Sequence, residues 1–317
     1  MSVTKPKLSH RTLPYSVPYS DSQEPLMVRR LGLKRLRYFA SLISKTMKTE
    51  KPKAIHDIRV ASRRLQQILD YLYPPPRPPS IRRLRNRLRR LRQALGKVRD
   101  YDVFIASIES HLKSKRIAQR PLLTAIHKQL SKRRAIFIKK AHETFDKHDA
   151  IGLCLKLEDV LGNVDLQHGA NSPPPLMIDV TLKRLWRDLA SKVAKSLRKR
   201  RPKNMHRVRI KVKRLRYLLE VAGELGNGRV DTSLSWLRRL QQCLGDWHDL
   251  DVQAKILLKM NSRRPLSSRA TNDDELLNMI HKMHITKEDS EQIYLKLITE
   301  NPTGKRLHQW MTKHQEE

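Results

Sequence analysis

Residues 56–71 read HDIRVASRRLQQILDY, and residues 206–221 read HRVRIKVKRLRYLLEV. Aligned without a gap, His56 matches His206, Arg59 matches Arg209, Arg64 matches Arg214, and Leu65 and Leu69 match Leu215 and Leu219. Arg63 stands opposite Lys213 and Asp70 opposite Glu220, so charge is kept even where the residue changes. A second block follows each of these. Residues 88–103, LRRLRQALGKVRDYDV, and 237–252, LRRLQQCLGDWHDLDV, agree at ten of sixteen positions, among them Gly96/Gly245, Asp100/Asp249 and Asp102/Asp251. The offsets are 150 and 149 residues, so order and spacing both repeat. Self-similarity at a fixed period marks a duplicated structural unit.

The apolar residues within these blocks recur at helical spacing. Ile55, Ile58, Leu65, Ile68, Leu69 and Leu72 share one helix face, and Leu84, Leu88, Leu91 and Leu95 form the seam of another. Working outward predicts helices over 25–49, from Pro52 to the stiff proline connector at 74–79, and from an N-cap at Ser80 to about Leu95. Gly96 is expected to end or bend that helix, with a further one running to Leu112 and another over 121–145. Beyond the turn-rich stretch GNVDLQHGANSPPP at 162–175, helices are expected over 176–201, 204–223, 233–258, 273–283 and 287–299, before a short tail carrying Trp310. Strand-like alternation is absent.

The predicted fold is therefore all-α, with two four-helix bundles related by internal duplication about a pseudo-twofold. The expected division is a flexible N-terminal tail (1–24), a first bundle (25–161), a linker (162–175) and a second bundle (176–317).

Charge limits the partners. Sixty-seven Lys and Arg against thirty-one Asp and Glu give a formal net charge of +36 over 317 residues. Self-repulsion of that size opposes a compact state, and a bound polyanion relieves it. Nucleic acid, an anionic membrane surface and a phosphate polymer are the candidate classes. Aromatic residues make up only 5%, which suits single-stranded nucleic acid poorly, because that ligand is usually held by stacking. Cys154 and Cys243 cannot build a disulfide framework and read as small core residues. No apolar run follows the basic N-terminal residues and no membrane span is expected, so the reading is a cytoplasmic protein.

The repeated charges lie on one stripe. At about 100° per residue, His56, Arg59, Arg63 and Asp70 fall within roughly 60° beside the Ile/Leu face, whereas Arg64 points away. The second copy holds His206, Arg209, Lys213, Arg216 and Glu220, and the third helix carries Arg82, Arg85, Arg89 and Arg92 beside its leucine seam. Charges bordering a buried seam can converge between helices. Arg64, Arg87, Lys199, Arg200 and Arg201 are read as solvated, and Asp100, Asp102, Asp249 and Asp251 as caps or as residues orienting arginines.

These residues resemble the CHAD family, the conserved-histidine α-helical domain. The likeness lies in His56-x-x-Arg59-Val60-x-x-Arg63-Arg64-Leu65, His206-x-x-Arg209-Ile210-x-x-Lys213-Arg214-Leu215-Arg216-Tyr217, Leu95-Gly96-x-x-Arg99-Asp100-x-Asp102 and Leu244-Gly245-x-x-His248-Asp249-x-Asp251. It spans about residues 25–300 and departs at Gln66, where arginine is expected. The resemblance implies two four-helix bundles around a basic central cavity that binds inorganic polyphosphate, in some members at polyphosphate granules. The binding candidates are His56, Arg59, Arg63, Arg85, Arg89, Arg92, His206, Arg209, Lys213 and Arg216, with no catalytic residue, cofactor or metal.

A phosphate polymer offers repeated charge and acceptors but no base to read. Arginine meets phosphate oxygens bidentately, lysine adds a compact charge, and a protonated histidine adds two donors. Sequence-independent binding of RNA or DNA is the rival, since its phosphate contacts look alike. A phosphohydrolase is the weaker rival. The doublets His56-Asp57 and His248-Asp249 are not kept between copies, and no Walker-type loop is present.

Overall fold

A computed structural model describes residues 24–113, 120–162, 178–226, 230–262 and 270–306. The expected tail except Glu24, the linker except Gly162, and the end of the chain with Trp310 lie outside the described residues. Among the described residues the regular structure is helical throughout: α1 (Glu24–Thr49), α2 (Pro52–Leu72), α3 (Pro79–Lys113), α4 (Arg120–Lys147), α5 (Ala150–Gly162), α6 (Ile178–Arg198), α7 (Pro202–Glu224), α8 (Asp231–Asn261) and α9 (Ala270–Thr299). The all-α expectation holds.

Local chemistry explains the boundaries. Pro52 and Pro202 occupy the first turns of α2 and α7, each after an extended residue, Lys51 or Arg201. Proline there loses no helical hydrogen bond and its fixed φ is already helical. Pro79 opens α3, one residue before the expected cap Ser80. The helix α5 escapes sequence reading; its start is fixed by Asp149, whose Oδ1 accepts the Gly152 amide at 2.9 Å.

Two expected breaks are absent. The helix α3 runs unbroken through Gly96, because its buried face simply continues from Leu88, Leu91 and Leu95 into Val98, Tyr101 and Phe104. Likewise α9 is continuous across 284–286, where no proline or glycine interrupts it.

The helices form two compact units. The larger gathers α1–α5, α8 from Gln242 and α9 up to Leu295; the smaller gathers α6, α7, α8 up to Gln241 and the chain from Lys296. In the larger unit α1 packs on α2 and α5, close enough at Gly32 that an added Cβ would lie 3.0 Å from Ile68 and 3.1 Å from Leu161. A second core in that unit joins both sequence copies, with Phe104 and Ile108 of α3, Ile126 of α4, Leu257 of α8 and Leu276 of α9 in one cluster. Each fully buried leucine contributes about 1.5–3 kcal/mol. In the smaller unit Trp186 of α6 meets Trp236 of α8, and the Trp236 indole donates to the Leu297 carbonyl at 2.9 Å.

Candidate functional site

The apolar face of α2 is held rigidly. Ile55, Ile58, Leu65, Ile68 and Leu69 are at most 1% exposed. The side chains one step around the helix are thereby placed at the margin of the core, where α2 meets α3. Arg59 Nη1 donates to the backbone carbonyl of Arg92 at 2.6 Å. Arg63, Arg92 and Arg99 crowd the same guanidinium, with Asp100 as the opposing charge. Burial first, then Arg63, pull Arg59 down to about 9 from its ordinary value. Arginine stays charged in proteins, so the direction records first the cost of burying this charge and then the neighbouring guanidiniums, which Asp100 opposes. An anion would oppose them further.

His56 belongs to this group. It faces solvent, one turn inside α2, with Arg99, Arg63 and Arg59 around it and Asp57 beside it. Partial burial and then Arg99 lower its pKa, so the free ring is neutral near pH 7 and charges when a negative partner arrives.

The aspartates of the second block divide their tasks. Asp102, buried, accepts from Arg134 Nε at 2.6 Å, and Arg134 Nη2 continues to the Glu50 carbonyl at 2.5 Å. Burial raises Asp102 while Arg134 opposes. Asp100 is also raised by burial, against the pull of Lys97, Arg59 and His248. Asp251 is bridged by Lys255 at 2.6 Å and Lys287 at 2.7 Å. Asp102 and Asp251 thus orient basic side chains, while Asp100 acts through its charge.

The remaining candidates scatter. Arg85 is bound to Asp70 (Nε to Oδ1, 2.5 Å), which also accepts from Arg77 at 3.0 Å. Arg89 is exposed. In the smaller unit His206 is exposed, and Arg209 and Lys213 are half-buried. Arg216 is buried, paired with Glu220, donating to Gln241 Oε1 at 2.9 Å and stacked on Tyr217. The repeat offsets align Gln66 with Arg216 and Arg92 with Gln241, so arginine and glutamine have exchanged helices between the copies. The departure at Gln66 is thus matched by an arginine on α3.

The CHAD domain profile matches residues 30–258 of this chain. The chain belongs to the CHAD domain family. A similar solved structure is the crystal structure of the CHAD domain from the plant Ricinus communis. It is 20% identical, with a TM-score of 0.66, covering 89% of this chain and 93% of that one. At that identity the likeness establishes the CHAD fold. No curated protein sequence matches the chain.

Within this CHAD chain the structure adds residues that the helical stripe left out. Arg99 joins the Arg59 cluster from α3, and His248 of α8 faces Asp100, its Nδ1 3.2 Å from Asp249. Both occupy the repeated Leu-Gly-x-x-Arg/His-Asp motif, at equivalent positions, so the signal was present but carried no helix face to weigh. Arg87, expected to be solvated, instead donates to the His148 carbonyl at 3.1 Å from Nε and 2.5 Å from Nη2, closing the end of α4. Among the described residues no group of three or more His, Cys, Asp or Glu could hold a metal ion, and no helix is long and apolar enough to cross a membrane.

Proposed function

We propose that this CHAD protein binds inorganic polyphosphate without catalysis, and that the Arg59 cluster is one of its contact sites. The carrying observation is the convergence of Arg63, Arg92 and Arg99 on Arg59, opposed by Asp100, with His56 beside Arg59, Arg63 and Arg99 and opposed by Asp57. Guanidiniums at the edge of a rigid apolar face are preorganised donors, and a phosphate chain brings charge and oxygens at every unit. Family membership supports this ligand, and the net charge of +36 supplies the long-range attraction. The repeat offers His206, Arg209 and Lys213 as a second contact set. Association with polyphosphate granules would follow from the same chemistry.

Titration with polyphosphate of defined length, in competition with RNA and DNA at matched salt, tests the reading. Polyphosphate should bind in preference, and the protein should release no orthophosphate. Preference for RNA or DNA would transfer the site to nucleic acid, and orthophosphate release would make the protein a hydrolase.

A further inference from the structure

We infer that Gly96 is a positioning residue for the proposed polyphosphate site: its missing side chain is what lets the Arg59 guanidinium lie against α3. The inference rests on that functional reading. The helix α3 runs straight through Gly96, so the glycine is not there to end it. Its backbone does not occupy the left-handed region either. Glycine inside a helix is less favourable than alanine, and its use here is spatial. A Cβ built at Gly96 would stand 3.2 Å from Arg59 Nη1. That same Nη1 is engaged at 2.6 Å with the Arg92 carbonyl, one turn earlier on α3. The guanidinium cannot back away without stretching this bond, and Arg63 and Arg99 occupy its surroundings. The equivalent glycine of the repeat supplies the contrast. A Cβ at Gly245 meets nothing within 4 Å.

Gly96→Ala and Gly245→Ala, alone and with Arg59→Lys, form the test on the full chain. Gly96→Ala should weaken binding of long-chain polyphosphate by roughly tenfold, the scale of one charge-assisted contact displaced. Gly245→Ala should bind as wild type. In the Arg59→Lys background, Gly96→Ala should cost nothing further, because lysine carries no Nη1 for the new methyl to meet. Gly245→Ala should melt at or above wild type, and Gly96→Ala should remain fully folded at the temperature of the titration, so a loss of affinity is not a loss of fold. NMR of the guanidinium resonances provides a ligand-free readout, with the Arg59 signal shifting in Gly96→Ala and staying put in Gly245→Ala. An unmoved Arg59 signal, or an affinity loss that persists undiminished with Arg59→Lys, overturns the role of Gly96. If wild type does not bind polyphosphate while the Arg59 signal still shifts selectively, the functional reading fails and the positioning stands.

Discussion

Arg59 of α2 and Arg92 of α3 are joined by a 2.6 Å hydrogen bond from a side-chain Nη1 to a main-chain carbonyl, which holds a charged group at the junction of two helices rather than out in solvent. Most surface arginines are free to swing. This one is aimed, with the guanidiniums of Arg63, Arg92 and Arg99 and the His56 ring close by.

Direction should therefore outweigh charge. Arg59→Ala with Arg209→Ala removes the same charge as Arg64→Ala with Arg214→Ala, at equivalent positions of the repeat. The first pair should lose on the order of 1.5–3 kcal/mol of polyphosphate binding per contact, and the second little. Arg214 is exposed, and Arg64, expected to be solvated, is half-buried like Arg59 and Arg209; what separates the pairs is direction, about 140° around the helix. Calorimetric titration of both double variants, with their ligand-free unfolding curves, decides the matter; equal losses would make binding a diffuse effect of net charge.

Arg216 should behave differently from Arg59 although both lie on the repeated stripe. Its side chain is 11% exposed, and that of its partner Glu220 is 9% exposed. Removing one member of such a pair leaves the other buried without its counterion, at a cost of about 3–5 kcal/mol. Arg216→Ala should lower the denaturant midpoint markedly, with any loss of affinity following the loss of folded protein. A stable Arg216→Ala protein with weakened binding would instead place this arginine on the ligand.

Binding should strengthen as pH falls from about 7 to about 5.5. Burial and Arg99 hold His56 below its usual 6.5 in the free protein, and a bound polyanion should raise it, so binding takes up a proton. The ligand-free protein should show the opposite trend from this group. With a depressed folded pKa, the stability His56 contributes is present above 6.5 and lost as pH falls below it, because the unfolded chain protonates first. His56→Gln should flatten part of both dependences, as read from affinities and unfolding midpoints across that window. Wild-type curves reproduced by His56→Gln would remove the histidine from the site.

Salt and chain length give the remaining checks. Log affinity should fall linearly with log salt, at about −0.7 to −0.9 per neutralised phosphate if nucleic acids are a guide. Pyrophosphate should bind far more weakly than a long chain, since contact sets repeated on one protein raise the effective concentration of the second contact. A salt-independent affinity, or equal affinity for pyrophosphate and polymer per molecule, would indicate a small-ligand pocket.

The sequence by itself determined the helical class, the family and the place of the repeated basic stripe. Each follows from short-range periodicity. Leucines and isoleucines at helical spacing dictate which face of α2 is buried, and residues 56, 59 and 63 must then border it. Proline at 52 and 202 starts both repeated helices in the same register. What the tertiary structure alone decided is how each charge is spent. The periodicity put Arg85 and Arg216 on the same footing as Arg59. Yet Arg85 answers Asp70, fifteen residues distant, and Arg216 answers Glu220 and Gln241. It likewise hid the use of Gly96, because a helix-breaking tendency is local whereas the occupant of the space above a glycine comes from another helix. Nor does periodicity say that α8 and α9 share a core with α3 and α4. A buried helix face specifies that it must be covered; which helix covers it is settled only when the whole chain packs.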